Sequence, residues 1–467
     1  MHNNSIDQIR IYHPYRALFP LNPKKVESVG DQVISEHIFG YHSKESMRDD
    51  RSDVLSHLEF STEESRVIIS PKVPIKRSDG THYALEDMCM AIKSGLREGH
   101  HAPYRALLKS VTCLQERVEI TFEKIPVNLP FLFTLPDLSL FDENTLPIRD
   151  QPRFPATTGP YSLEAITENE TRLKINPHYP RSLRANEIST VAYRTYQGST
   201  VVQFVEKLDP KEDHLIYFVG DLLTSALADK LKSKGYRLQI FPSEWLLYFQ
   251  FTQVPSENLR KRLGRMFDLL RERLVSHLDF AQAAYSIAPM DRPFGLKKDE
   301  YTNAIKTETP HIGERDDYPL RIGLLANTER NPNIQMILGE IRKFFPNIQI
   351  RFLRYEEWEK AEKELDVLIN ALGISQFDPL NHISYLMHQD PLIRETVTDN
   401  DVAELASTHK RDDFISKVKD LESTLARERR IFPLAHFPGI VAEAPGFDRD
   451  EELSWNWGTQ AWTYRVR

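Results

Sequence analysis

The stretch that most constrains the fold runs from Thr157 to Pro180, TTGPYSLEAITENETRLKINPHYP. Gly159 and Pro160 set a rigid turn, and Tyr161 to Ile166 alternates like a strand. Glu168-Asn169-Glu170 then makes a hairpin turn before Arg172 to Ile175 alternates again. The spacing predicts an antiparallel hairpin closed by Asn176-Pro177-His178-Tyr179.

With 467 residues, 40% hydrophobic and 27% charged, the chain is long enough for two or more packed domains and carries no bias toward disorder. A formal charge of −8 argues against a broad nucleic-acid or anionic-membrane surface, since both need clustered positive charge. The apolar stretch from Pro130 to Phe141 is interrupted by Pro130 and Pro136 and holds Asp137, so it is no membrane span of about 20 apolar residues. Membrane insertion is not expected. Met1 to Arg10 shows no basic region followed by an apolar run, so either a secretory signal was removed or the protein is cytoplasmic. Cys89 and Cys113 suit either compartment; two free, buried thiols are expected, with one bridge as the alternative.

In chain order, Gly30 marks a turn ahead of a helix carrying Val33, Ile34 and Ile38. Strand-like Arg66 to Ile69 and Val73 to Lys76 lead to the Asp79-Gly80 turn, and Leu85, Met88, Ile92 and Leu96 predict a helix from about Ala84 to Leu96. Asp87 reads as a first-turn carboxylate favoured by the helix dipole. Arg117 to Glu123 alternates as a strand, and the Pro-rich run from Pro126 to Pro155 reads as irregular. The strongest helix carries Leu259, Leu263, Met266, Phe267, Leu270, Leu274 and Leu278 on one face. Strand Arg321 to Ala326, helix Ile334 to Phe345 and strand Ile348 to Leu353 suit a parallel crossover, repeated by helix Glu356 to Glu364 and strand Leu365 to Leu372.

Catalytic motifs are absent: there is no G-x-S-x-G elbow, H-E-x-x-H helix, P-loop or Rossmann glycine triplet. No catalytic residue and no cofactor is expected. The adjacent His100 and His101 do not share a helix face and have no Cys or carboxylate at ligand spacing, so no metal site is expected. His13 and His42 read as surface or satisfied core histidines. Trp455, Trp457 and Trp462 read as an aromatic tail docked on its parent domain.

The Gly-Pro-Tyr entry to the hairpin, the Asp-Gly turn before a helix with Ala84 and Asp87, the arginines Arg260, Arg262 and Arg271, and the strand Phe432 to Val441 occur in an order that resembles extracellular solute-binding protein family 5, the peptide- and nickel-type binding proteins of ABC importers (cluster C). That resemblance implies an α/β chain of the periplasmic-binding-protein type II fold, two lobes with a hinge plus an inserted smaller domain. The implied division is 1–44 for the first part of lobe 1, 45–150 for the insert, 151–246 for the second part of lobe 1, 247–436 for lobe 2, and 437–467 for the return to lobe 1. Ser243 to Gln253 and Phe432 to Val441 are the implied crossing strands.

The resemblance also implies a ligand site. Glu27, Ser28 and Val29 precede the first helix at its cleft positions; Tyr104 and Trp358 match aromatic positions; and Asn370, Leu372, Gly373, Ile374 and Gln376 would line the facing wall. With Asp378-Pro379 as the fixed point, the position that holds a ligand's α-ammonium group with an Asp is Ser375, and a strand position that is Arg in some peptide binders is Ile369. A monomer that captures a small molecule or short peptide and presents it to an ABC permease is implied, periplasmic or extracytoplasmic if exported. The alternative is a cytoplasmic stand-alone sensor or scaffold like the solute-binding-type domain of a sugar-phosphate-stress transcriptional regulator, which the opening Ile11-Tyr12-His13-Pro14 suggests.

Overall fold

The computed structural model describes residues 7–14, 17, 19–25, 29–45, 51–97, 102–126, 129–134, 136–142, 144–148, 153–196, 201–220, 222–289, 292–305, 319–325, 328–329, 331–353, 357, 364–373, 379–408, 410–450 and 460–466. Strand β1 (Gln8–His13) leads to helix α1 (Val29–Ile38). The four-stranded antiparallel sheet that follows is made of β2 (Ser56–Ser61), β3 (Arg66–Pro71), β4 (Leu108–Cys113) and β5 (Val118–Phe122) in the order β2-β3-β5-β4. Helix α2 (Leu85–Arg97) packs on it, and the short α3 (Ala102–Leu107) follows. Asp87 takes the first-turn role read from the sequence: its carboxylate accepts from Ala84 N at 3.2 Å and from Arg77 Nη2 at 2.7 Å. Val73 to Lys76 forms no strand beyond a bridge between Lys76 and His82.

The hairpin is present as β6 (Tyr161–Ile166) and β7 (Glu170–Ile175), with Tyr161 opposite Ile175. Glycine is needed at 159 because a Cβ there would lie 2.5 Å from the Ile38 carbonyl carbon; the Gly159 N–H instead donates to Ile38 O at 2.8 Å. Asn176 closes the turn, donating to Gly159 O at 2.8 Å and accepting from His178 N at 2.9 Å. The hairpin is thereby fixed against the C-terminal end of α1.

Its sheet continues through β8 (Thr190–Thr195), β9 (Leu215–Val219), β10 (Arg237–Phe251), β11 (Arg321–Leu325), β12 (Gln349–Leu353), β13 (Val367–Gly373) and β14 (Pro433–Glu443). The order is β12-β11-β13-β10-β14-β9-β1-β8-β7-β6. β1 is parallel to both β8 and β9, and β11 is parallel to both β12 and β13, with α5 (Pro332–Phe344) as the crossover between β11 and β12. A helix expected over 356 to 364 falls almost wholly outside the described residues.

The two long strands β10 and β14 join the two parallel sets, β10 pairing antiparallel with β13, β14 antiparallel with β9, and the two antiparallel with each other. Arg237 to Phe241 of β10 pairs with Glu443 to Gly439, whereas Trp245 to Tyr248 pairs with Phe437 to Pro433 across a register shift. Alternation along β10 places Leu246 and Tyr248 in one apolar core and Trp245, Leu247, Phe249 and Phe251 in another. The second core is closed by α4 (Glu257–Val275), which inserts Leu263, Met266, Phe267 and Leu270, all 1% exposed. Burying each such side chain stabilises the fold by about 1.5–3 kcal/mol.

The first core joins the four-stranded sheet to helices α6 (Pro379–Gln389), α7 (Asp399–Ala406) and α8 (Arg411–Arg427), and α3 packs directly on α7. Within the small sheet, Cys89 of α2 and Cys113 of β4 form a disulfide, correcting the expectation of two free thiols. Packing of α2 across β4 brings their Cα atoms to 5.9 Å, a proximity that a separation of 24 residues does not disclose.

Trp462 is buried with the core around α1, as the docked-tail reading anticipates; Trp455 and Trp457 lie outside the described residues. Gln460 donates to Glu36 Oε2 at 2.9 Å, and Ala461 N donates to His37 Nε2 at 3.1 Å. His37 Nδ1 lies 2.7 Å from Val33 O, so it carries the ring proton and leaves Nε2 to accept. Burial pushes Glu36 up to about 7 from 4.5, against the hydrogen bonds from Gln460 and Gln32. The folded chain therefore holds this proton more tightly than the unfolded chain, so the destabilisation appears above pH 4.5, grows toward pH 7 and is constant beyond. Glu36→Gln is expected to leave stability unchanged at pH 4 and to raise it by about 1–3 kcal/mol at pH 8, measured by denaturant unfolding at both values.

Candidate functional site

The strand registers define where a ligand can be received. β9 ends at Val219 opposite Gly439, and β1 and β8 run parallel to it, ending at His13 and Thr195. From the other side, β13 ends at Gly373 opposite Trp245, with β11 and β12 parallel to it. Both parallel sets thus point their carboxyl ends at the same short segment, Phe241 to Trp245 of β10 against Phe437 to Gly439 of β14. In open α/β sheets, the crevice outside the carboxyl ends of the strands is where ligands bind. Gly220 allows the chain to turn here: its N–H donates to Pro438 O at 2.9 Å, and a Cβ would lie 2.7 Å from that oxygen.

Aromatic groups tie the two sides together at this junction. His13 stacks on Tyr217, centroids 4.7 Å apart and planes 2° from parallel, and the Tyr217 hydroxyl accepts from Trp245 Nε1 at 2.7 Å. Burial lowers His13 to about 3 and His436 to about 4, so both rings are neutral at physiological pH.

Beside His13, the first turn of α1, the tip of the β6-β7 hairpin and the end of β8 form a small concavity of about 20 Å³. His13, Gly30, Val33, Glu168, Glu170 and Arg194 are among its lining residues. At its rim Arg194 Nε donates to Glu170 Oε2 at 2.8 Å, and Arg172 Nη2 donates to Glu170 Oε1 at 2.7 Å. Burial raises the Glu170 carboxyl, but these guanidinium bonds outweigh it and hold the group below its ordinary value.

The residues named from the sequence are distributed unequally. Val29 is the first residue of α1, next to the Gly30 that lines this concavity. Asn370 and Leu372 lie on one face of β13, where Asn370 Nδ2 donates to Gln250 Oε1 at 3.1 Å and Leu372 packs on the core that also holds Tyr104. Tyr104 is 1% exposed and packs in the apolar core between α3 and α7. Gly373 is at the junction opposite Trp245, and Ile369 is buried on the opposite face of β13. Glu27, Ser28, Trp358, Ile374, Ser375 and Gln376 lie outside the described residues.

His13, Glu170, Arg194 and the Tyr217–Trp245 pair were not singled out as site residues by sequence reasoning. For His13 a signal existed: it ends the alternating run Gln8 to His13 and is followed by Pro14, which marks a strand's carboxyl end. Among the described residues, no group of three or more His, Cys, Asp or Glu could hold a metal ion, and no helix is long and apolar enough to cross a membrane.

Solved structures share this fold over nearly the whole chain. The oligopeptide-binding protein AppA from Bacillus subtilis, in complex with a nonapeptide, matches with a TM-score of 0.78 at 12% identity, covering 98% of this chain and 99% of that one. The fold is the periplasmic-binding-protein type II fold. The periplasmic binding protein DppA from Helicobacter pylori, associated with an ABC transporter and bound to the peptide STSA, matches with a TM-score of 0.77 at 11% identity and 98% coverage of both chains. NikA from Staphylococcus aureus, in complex with Ni(L-His)2, matches with a TM-score of 0.74 at 14% identity, covering 96% of this chain and 98% of its own. No protein-family model matches the sequence, and no curated protein matches it.

The Tyr217–Trp245 bond is expected to support the junction of this fold. Tyr217→Phe should lower unfolding free energy by about 1 kcal/mol and change tryptophan fluorescence, checked by denaturant titration.

Proposed function

We propose that this chain is a solute-binding protein of the family 5 type, a receptor for an ABC importer that captures a small or peptide-like ligand between two lobes without making or breaking bonds. The carrying observation is the convergence of both sets of parallel strand ends on one junction crossed by β10 and β14. On this reading lobe 1 comprises 1–44, 151–246 and 437–467, lobe 2 comprises 247–436, and 45–150 is the inserted domain. The crossing strands act as the hinge, and closure over the ligand excludes water and presents a surface to the permease. The protein acts as a monomer, with Glu27, Ser28, Val29, Trp358, Ser375 and Gln376 contributing to the cleft.

The Cys89–Cys113 disulfide favours an extracytoplasmic site of action over a cytoplasmic sensor, because such bridges persist in oxidising compartments. Alkylation of the protein from its native cells is expected to find both thiols blocked. Two freely reactive thiols in that material would instead favour the sensor.

Ligand class follows from Ser375. An ammonium group closed into a water-poor cleft without its carboxylate partner suffers a penalty of about 3–5 kcal/mol, or roughly two to four orders of magnitude in affinity. Ordinary peptides with free α-amines are therefore expected to bind poorly, and N-blocked ones well. Calorimetry with a free-amine peptide pool and its N-acetylated counterpart tests this: micromolar binding of the free-amine pool alone refutes it. Ser375→Asp should shift preference toward free amines. Small-angle scattering should show a smaller radius of gyration on adding the bound pool, and an unchanged radius contradicts hinge closure.

A further inference from the structure

The hairpin tip and the end of β8 carry a charge arrangement that the cleft reading does not use. Arg194 lies in register with Tyr12 of β1 and with Glu170 of β7, one residue short of the strand ends. Its guanidinium is held from two sides: Nε donates to Glu170 Oε2 at 2.8 Å, and Nη1 approaches the Tyr12 hydroxyl oxygen at 3.5 Å. The Tyr12 hydroxyl proton goes to Asp213 Oδ1 at 2.8 Å, so its oxygen faces Arg194 as an acceptor. Arg194 Nη2 has no acceptor among the described residues, although the side chain is only 36% exposed.

A partly buried ion pair on a strand does not by itself require the arginine to be anchored from a second side. Anchoring through Nε and one Nη1 hydrogen leaves Nη2 and the second Nη1 hydrogen as an outer planar fork, preset for a carboxylate and needing little side-chain ordering on binding. Both Arg194 and Glu170 line the concavity beside His13. Glu170 is already occupied by Arg172 and Arg194, so it does not compete for a ligand cation. Glu168 also lines the concavity, is exposed, and opposes an anion there.

We propose that Arg194 is a specificity-determining residue of the cleft, held by Glu170 and Tyr12 to bind a carboxylate of the captured solute. The assignment rests on the solute-binding reading above. It narrows the ligand to a small acid: the carboxylate handle absent at Ile369 is supplied from the opposite side of the junction.

The test uses N-acetylated dipeptides as one pool with free C-terminal carboxylates and a second pool with C-terminal amides, titrated calorimetrically into the intact protein. The free-acid pool is expected to bind at least tenfold more tightly than the amide pool. Arg194→Gln should erase that difference without weakening the amide pool, Arg194→Lys should restore part of it, and Glu168→Gln should tighten acid binding two- to threefold. Equal binding of both pools to the wild-type protein, or retention of the acid preference by Arg194→Gln with a normal unfolding midpoint, overturns the role of Arg194 and leaves the solute-binding reading standing. If neither pool binds but an unrelated neutral solute does, the carboxylate assignment also fails. Failure of all solutes, with no ligand-induced change in scattering, overturns the binding reading itself and this inference with it.

Discussion

The antiparallel pairing of β10 with β14 is the constraint on which the rest of the structure depends. Every residue of β14 is buried, and each of the two strands is hydrogen-bonded within both halves of the sheet. A pair of continuous strands fixes the direction of everything ladder-bonded to it, so the two parallel sets must present their carboxyl ends toward one another. An α/β half built alone would place its strand ends at open solvent. Sharing two strands converts two such ends into opposing walls. The ladder is interrupted at the junction, between Phe241 and Trp245, and shifts again between Leu247 and Tyr248. At the first of these the His13–Tyr217 stack and the Trp245 Nε1 hydrogen bond to the Tyr217 hydroxyl directly link the walls.

The first wall is itself held from behind. α1 opens its first turn onto the concavity, and its far end is fixed by Gly159 of the hairpin and by the C-terminal residues 460 and 461. Glu36 and His37 lie side by side on that far end and each takes a hydrogen bond from the tail. Burial keeps the imidazole neutral and favours the neutral carboxyl, so the contact avoids placing a bare charge in the core. Residues more than 420 positions apart thus cooperate in holding one helix, which positions the segment that precedes it.

Much of the fold was legible because burial leaves a period in the sequence. The 3.6-residue repeat of Leu259 to Leu270 gave α4, the alternation of Tyr161 to Ile175 gave the hairpin, and the strand-helix-strand spacing from Arg321 to Leu353 gave a parallel crossover. The disulfide was not legible, because it depends on how α2 crosses β4. Tyr104 illustrates a different limit: its burial depends on the packing of α3 on α7, which the local sequence does not disclose. Arg194 was hidden for a related reason. A single arginine in a strand carries no periodic signal, and its meaning comes only from Glu170 and Tyr12 on the neighbouring strands. Glu27, Ser28 and 374–376, which the family resemblance assigns to the cleft, lie outside the described residues.

The contact between α3 and α7 bears on how such a molecule could open. Tyr104 and Leu107 share one core with Val402, Leu405 and Ala406, and all five are buried. Separating the inserted sheet from these helices returns that apolar surface to water, at about 25 cal/mol for each Å² exposed. A ligand that binds across the junction therefore need not supply all of the free energy of closure, since part of it is already present in the apolar seam. What the ligand must supply is the difference between the two states, and only groups that touch both walls can do so. Polar groups fixed on a rigid strand end, as Arg194 is by its neighbours, serve that purpose better than groups on a mobile loop, because little further ordering is spent when the cleft shuts.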